Sequence, residues 1–335
     1  MADVAREAGV ARVTVSRVLS DPDKVKPATR AAVQAAIERL GYVPNLNAGS
    51  LASSRSRIVG AIVPMLSNAW FADTMDGLAE VLAGAGYQLL LGQSRYDEGG
   101  EAGLVDAFLG RQVDALVLTG VGHQPSVREK LRRLAIPVVE TWDLSDDPID
   151  MVAGFSNHAT GQAVADYLLA RGHRRIGFIG ADERRSQQRL QGLCERLAAS
   201  GAPEVQVERV KPPSAIDDGA QGLARLLARE PGLQAIFCSN DILAVGALFE
   251  CRRRGVAVPQ QMAVVGFSDL AIAAACVPAL TTVRVPSREL GRHAGRMLLA
   301  RLRPAPGSDT PDQADAAPMA RIADLGFQLI PRESA

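Results

Sequence analysis

The stretch DVAREAGVARVTVSRVL, Asp3 to Leu19, decides how the rest of the chain is read. It predicts two short helices joined by a tight turn. Val4, Ala5 and Ala8 form a small apolar face on the first, and Val10, Val15, Val18 and Leu19 recur at helical spacing on the second and face inward. Gly9 falls where the chain must turn sharply, a position that favours a residue free to take positive φ. Arg12, Val13, Thr14, Ser16 and Arg17 are left facing outward. That set suits a DNA groove: arginines fork onto guanine, an apolar tip meets a thymine methyl, and hydroxyls hold phosphates. By itself the pattern also fits the first helical hairpin of any globular domain.

Charge bears on the choice. Residues 1–57 hold nine Lys or Arg and five Asp or Glu, a net +4, so the remainder of this neutral chain carries −4. A small basic head on a mildly acidic body points to contact with a polyanion through the head alone. Pro27 to Gly41 predicts a third helix, with Pro in its first turn and Gly at its end. Val33, Ile37 and Leu40 would close a little core. Leu46 to Ser56, LNAGSLASSRS, reads as a Ser-rich tether.

A length of 335 residues suggests two or three domains. From Ile58 the pattern turns to short apolar runs separated by helix-length segments. IVGAIVP, YQLLLGQ, VDALVLT and IPVVET come first; after a crossing near Phe155 come RRIGFIG, VQVERV, LQAIFCS and AVVGF, and ADLGFQLIP closes as a strand. This rhythm predicts an α/β body of doubly wound parallel sheets in two units. No uninterrupted apolar run reaches about 18 residues, so no membrane span is expected. The N-terminus, charged at Asp3, Arg6 and Glu7, does not read as a signal peptide. Cys194, Cys238, Cys251 and Cys276 lack close spacing and read as thiols of a reducing cytosol. The four histidines are scattered, so neither a metal nor another cofactor is expected. A Gly-rich phosphate loop, a G-x-S-x-G elbow and an H-E-x-x-H pair are all missing, which argues against an enzyme.

Ligands of open α/β sheets sit beyond the carboxyl ends of the strands. The segments there hold Asn68, Trp70 and Phe71, then Asp143, Phe155 and Asn157, Arg189, Asn240 and Asp241, and Ser268 and Asp269. Such a set suits a polyol with an acid group: carboxylates and amides bridge hydroxyls, aromatics stack on the carbon skeleton, and an arginine forks onto the acid. Asn240 and Asp241 could instead cap the helix that follows, and Trp70 could belong to the core.

DVAREAGV, TVSRVLS and TRAAVQAAIERLGYVPN together resemble the DNA-binding head of the LacI/GalR family of bacterial repressors, without a gap over residues 3–45. The resemblance implies a helix-turn-helix head over 1–45, a hinge over 46–57 and an effector-binding and dimerisation body over 58–335. It places Arg12, Val13 and Arg17 at base-reading positions and Thr14, Ser16 and Asn45 at phosphates. In the hinge it implies a helix that forms on DNA, with Leu51 as a minor-groove wedge and Ala48 allowing two such helices to approach. The chain departs from the family pattern at Ala11, where a capping Ser or Thr is usual, at Gly49, and at Ser268, where Asp is common. The body resembles the two-lobed sugar-binding fold of periplasmic binding proteins, with lobe 1 over 58–156 and 286–318 and lobe 2 over 157–285 and 319–335. Arg189 then occupies the family's effector-contacting position. A transport receptor of that fold is the rival reading, opposed by the DNA-binding head and the missing signal peptide.

LSNAWFAD, IPVVETWD, IDMVAGFSN, FCSNDILAVGALFECRRRG and DLGFQLIP are further similar to repressors of gluconate-utilisation genes. That implies a sugar acid such as gluconate, its phosphate or 2-ketogluconate as effector, acting as inducer. It also implies a palindromic operator in double-stranded DNA, bound by a homodimer.

Overall fold

A computed structural model describes residues 1–43, 55–302 and 319–335. The chain forms two compact units, Met1–Ser56 and Arg57–Ala335.

Among its described residues the first unit has three α-helices, α1 (Ala2–Glu7), α2 (Arg12–Ser20) and α3 (Pro27–Leu40), with a 3-10 turn at Pro22–Lys24 between the last two. Val4, Ala5, Val15, Val18, Val33 and Ala36 are its buried core, with Val10, Ile37 and Tyr42 packed against them. Gly9 makes the turn between α1 and α2 at φ +64°. Two expected core residues lie outside it: Leu19 is 36% and Leu40 45% exposed. Both sit at helix ends, where the chain leaves the core. At the end of α3, Gly41 adopts φ +55° and the Tyr42 N–H reaches back to the Ile37 carbonyl at 3.0 Å. This left-handed C-cap swings Tyr42 into the place expected for Leu40.

The second unit begins with β1 (Ile58–Val63), α4 (Ala69–Gly84), β2 (Gln88–Gln93), α5 (Glu98–Gly110), β3 (Ala115–Thr119), α6 (Pro125–Leu134), β4 (Val138–Thr141) and β5 (Met151–Gly154). After a first crossing come α7 (Asn157–Ala170), β6 (Ile176–Ala181), α8 (Arg184–Ala199), β7 (Gln206–Val210), α9 (Ile216–Arg229), β8 (Ala235–Cys238), α10 (Asp241–Arg254), β9 (Ala263–Val265), α11 (Ala271–Ala275) and β10 (Thr282–Arg284). Then follow α12 (Ser287–Leu302), β11 (Ile322–Asp324) and β12 (Gln328–Ile330).

The first sheet runs β11-β5-β4-β3-β1-β2 and the second β7-β6-β8-β9, with parallel pairing throughout both. The first strand of each sheet is flanked by the second and third, so the order reverses at β1/β3 and again at β6/β8. Reversals of this kind open crevices at the carboxyl ends of the strands. The alternation read from sequence is therefore present, with two corrections. β5, four buried residues just before the crossing, is a strand that the rhythm of the sequence does not mark. The C-terminal stretch is not one strand, nor does all of it belong to the second lobe. β11 joins the first sheet beside β5, Gly326 turns the chain at φ +68°, and β12 pairs antiparallel with β10. Beyond it, Ser334 reaches the second sheet, where its Oγ donates to the Val264 carbonyl at 2.6 Å.

Close helix packing holds each lobe. In the second lobe α7 and α8 meet on glycines. A Cβ on Gly161 would stand 1.9 Å from the Arg189 carbonyl, and one on Gly192 would stand 2.0 Å from that of His158. Asp241, at the start of α10, is buried and clamps the edge of the second lobe. Its Oδ2 accepts from the Leu270 N–H at 2.7 Å and its Oδ1 from the Thr282 hydroxyl at 2.6 Å. Burial outweighs those bonds and pushes its carboxyl up to about 6.

Replacing Gly192 with Ala is expected to destabilise the chain by about 1–3 kcal/mol through overpacking. Gly103→Ala, in the open on α5 with nothing within 4 Å of the new methyl, should stabilise by up to about 1 kcal/mol. Urea denaturation of both variants checks the pair. For Asp241, the folded chain holds the proton more tightly than the unfolded chain, whose value is 3.8. Its contribution to stability is thus whole below that value and lost as pH rises through about 6. Asp241→Asn should flatten that segment of a stability–pH profile measured by urea melts.

Candidate DNA interface and effector site

On α2, Arg12, Val13, Ser16 and Arg17 are exposed and Thr14 is half-buried. Val13 is 63% exposed, an apolar side chain held out from the core that Val15 and Val18 fill. Ala11 precedes α2 in extended backbone and offers no side-chain cap. Of the other basic residues from α1 to α3, all but Lys26 pair with acids among the described residues: Arg6 with Asp3, Lys24 with Asp21, Arg30 with Asp23 and Arg39 with Glu7. Arg12 and Arg17 make no ion pair among the described residues, which leaves both guanidinium forks open. Asn45, Ala48 and Leu51 lie outside the described residues.

In the second unit the carboxyl ends of β1, β3, β6 and β8 converge on one crevice with two adjoining chambers. An inner chamber of about 40 Å³ is walled by Trp70, Phe71, Trp142 and Phe267, with Arg189, Asn240 and Ser268 among its polar groups. An outer chamber of about 380 Å³ includes Asp143. Tyr96, Glu183, Arg185 and Pro212 line both. Aromatic residues are 4% of the chain, and both of its tryptophans are at this place. Trp70, Phe71, Trp142, Phe155 and Phe267 follow one another at ring-centre spacings of 5.8, 5.2, 5.9 and 6.0 Å.

Arg189, on α8, is buried. Its Nη1 donates to Asn157 Oδ1, its Nη2 donates to the Ser239 carbonyl at 3.2 Å, and Glu183 Oε1 lies 3.7 Å away. The guanidinium stands 4.1 Å above the Phe267 ring. Desolvation pulls its pKa down to about 10, against the pull of Glu183, so it stays charged at neutral pH. Its Nε and the Ser268 Oγ are buried without a hydrogen-bond partner among the described residues. Ser268 itself sits at φ +111°. In the outer chamber, Asp143 Oδ1 accepts from the Leu144 N–H at 2.9 Å, and Oδ2 accepts no hydrogen bond among the described residues. Burial raises this carboxyl above its usual range.

The crevice thus gathers Trp70, Phe71, Asp143, Arg189, Asn240 and Ser268 of the residues singled out by sequence. Asn240 does double work: Oδ1 caps α10 through the Leu243 N–H and Nδ2 donates to Ser214 at 2.9 Å. Asn68 lines neither chamber; it donates to the Tyr96 hydroxyl at 3.3 Å and so steadies a residue that lines both. Phe155 is fully buried between Trp142 and Phe267 and serves as core, because the crossing strand carries it beneath the crevice floor. Asp241 is the clamp described above, turned away from the crevice. Asp269 is taken up by Arg284 and Arg332 at 2.6 Å each.

Sequence reasoning missed Tyr96, Trp142, Glu183 and Arg185. The signal for the last two was available: DERR directly follows β6, where the strand-end rule applies, but reads as the approach to a helix. Glu183 does cap α8, accepting from the Ser186 N–H at 2.8 Å, while also pairing with Arg185 at 3.3 Å. No helix among the described residues is long and apolar enough to cross a membrane.

Comparison with known proteins matches residues 1–45 to bacterial regulatory proteins of the lacI family and residues 165–335 to the periplasmic binding protein-like domain. The HTH-type transcriptional regulator GntR of Pseudomonas aeruginosa is 37% identical over 334 residues, 99% of this chain and 94% of that protein. The crystal structure of the transcription regulator GntR from Chromobacterium violaceum is 40% identical, with a TM-score of 0.75 over 83% of this chain and 98% of that one. A LacI-family regulator from Silicibacter pomeroyi superposes with a TM-score of 0.90 at 31% identity, over 99% of this chain and 98% of its own. With its helix-turn-helix head and two-lobed parallel-sheet body, the chain belongs to the LacI family of DNA-binding transcriptional regulators.

Proposed function

We propose that this chain represses genes of sugar-acid catabolism by binding a palindromic operator as a homodimer, and that a sugar acid of the gluconate type releases it. In the head, Arg12, Val13 and Arg17 read base edges, while Thr14, Ser16 and Asn45 hold phosphates. Leu51 wedges the minor groove and Ala48 admits the partner's hinge. In the crevice Arg189 takes the ligand's carboxylate, Asn240, Ser268 and Asp143 take hydroxyls, and Trp70 and Phe71 pack on the carbon skeleton.

The observation that carries this reading is Arg189: a charged guanidinium buried at an aromatic-walled crevice, with its Nε unpartnered among the described residues. A buried donor left without an acceptor costs free energy that an incoming carboxylate recovers. The similarity to GntR regulators, and to IdnR of Escherichia coli at 33% identity, supports the same assignment.

Both tryptophans line the inner chamber, so intrinsic fluorescence follows binding directly. A titration with D-gluconate should saturate, and Arg189→Ala should weaken it by about tenfold to a hundredfold, the loss of one charge-assisted hydrogen bond. Equal affinities would remove Arg189 from its role. In a gel shift, saturating gluconate should lower operator affinity by about 5- to 150-fold; tighter binding with ligand would make gluconate a corepressor.

A further inference from the structure

The polar atoms left without partners among the described residues differ in kind between the two chambers. In the inner chamber they are the Arg189 Nε–H and the Ser268 hydroxyl, both able to donate. In the outer chamber the unpartnered atom is Asp143 Oδ2, an acceptor. The charges follow the same polarity. The outer chamber is lined by the carboxylates of Asp97, Glu101, Asp143, Asp182 and Glu183 against two guanidiniums, Arg184 and Arg185. Four of those carboxylates are engaged within the fold. Asp97 caps α5 through the Gly100 N–H at 2.8 Å, and Glu101 meets His123 at 2.7 Å. Asp182 meets Gln187 at 3.0 Å, and Glu183 caps α8. Asp143 lines the chamber and keeps one oxygen, Oδ2, buried and unpartnered at its wall; Arg184 Nε stands 3.9 Å from it, beyond hydrogen-bond reach, on a largely exposed side chain.

We infer that the crevice is one-ended: it takes an acid group in the inner chamber and a hydroxyl-bearing tail in the outer one, and Asp143 excludes a ligand with a second carboxylate at the tail. The ligand class is then the monocarboxylic polyols, the aldonates, and not the dicarboxylic aldarates of the same length. A tail hydroxyl donates to Asp143 Oδ2 and satisfies it. A tail carboxylate meets a like charge in a half-enclosed, poorly screened chamber and brings no proton to share. This rests on the sugar-acid reading of the crevice proposed above.

D-gluconate and D-glucarate share a six-carbon chain and differ in the oxidation of its far end. Calorimetric titration of the full-length protein with each at neutral pH is expected to give gluconate an advantage of at least about tenfold. Asp143→Asn keeps an acceptor for the Leu144 N–H and should shrink that ratio severalfold. Asp182→Asn, on the exposed rim, should shrink it less and guards against a folding defect at Asp143; thermal melts confirm that both variants are folded. Glucarate binding as tightly as gluconate, or a ratio unchanged in both variants, overturns the inference and leaves the sugar-acid reading standing. Failure of the wild type to bind either acid removes that reading and the inference with it.

Discussion

The second unit depends on how one buried amide, Asn157, is held. Its Oδ1 accepts from Arg189 on α8, and its Nδ2 donates to the Trp142 carbonyl at 3.0 Å and lies 3.5 Å from Asp143 Oδ1. A guanidinium taken out of water is tolerable only when its donors are met, and Asn157 and Ser239 meet the two Nη groups. The same amide fixes Trp142, whose backbone lies in the left-handed region at φ +69°. Asn157 starts the helix after the first crossing, so a single side chain ties Arg189 of one lobe to the aromatic wall of the other.

From Trp142 the connection continues. Its indole N–H donates to the Thr74 hydroxyl at 3.2 Å, which in turn donates to the Trp70 carbonyl at 2.9 Å. Thr74 lies on α4, and α4 packs against α12 at the closest approach glycine permits: a Cβ on Gly291 would stand 1.9 Å from the Thr74 carbonyl. Interiors packed this tightly have little slack and shift as blocks rather than deform smoothly. The crevice and the α4–α12 pair of the first lobe are therefore joined by hydrogen bonds and backbone contact.

Much of this was legible in the sequence, and the exceptions share a cause. In the head, helical spacing identified Val4, Val15, Val18 and Val33 because an apolar residue on the inner face of a helix has nowhere else to go. Leu19 and Leu40 carry the same spacing but stand at helix ends, where the cap decides the direction of the chain. In the body, the alternation of strands and helices and the strand-end rule led to Trp70, Arg189 and Ser268. Tyr96, Trp142, Glu183 and Arg185 face the crevice only because two sheets with the same strand order present their reversal points to each other. That relation is tertiary, and no local pattern encodes it. Asp241 shows the converse. A carboxylate at a strand–helix junction reads as a cap or a ligand contact, and it is neither, since its partners Leu270 and Thr282 arrive from distant sequence.

The inner chamber bears on how this site can work. At about 40 Å³ it holds no more than one end of a six-carbon acid, whose remainder would extend into the adjoining outer chamber. Its walls come from both lobes: Trp70, Phe71 and Trp142 from the first, Arg189, Asn240 and Ser268 from the second. A ligand that reached Arg189 would therefore touch both lobes at once. Among the described residues the lobes are joined by three short crossings, at residues 155–156, 285–286 and 325–327. The outer chamber is walled from both lobes as well, by Asp97, Glu101 and Asp143 of the first and Asp182, Glu183 and Arg185 of the second, so a ligand in either chamber shifts the relation between the lobes only by as much as it binds one arrangement better than another.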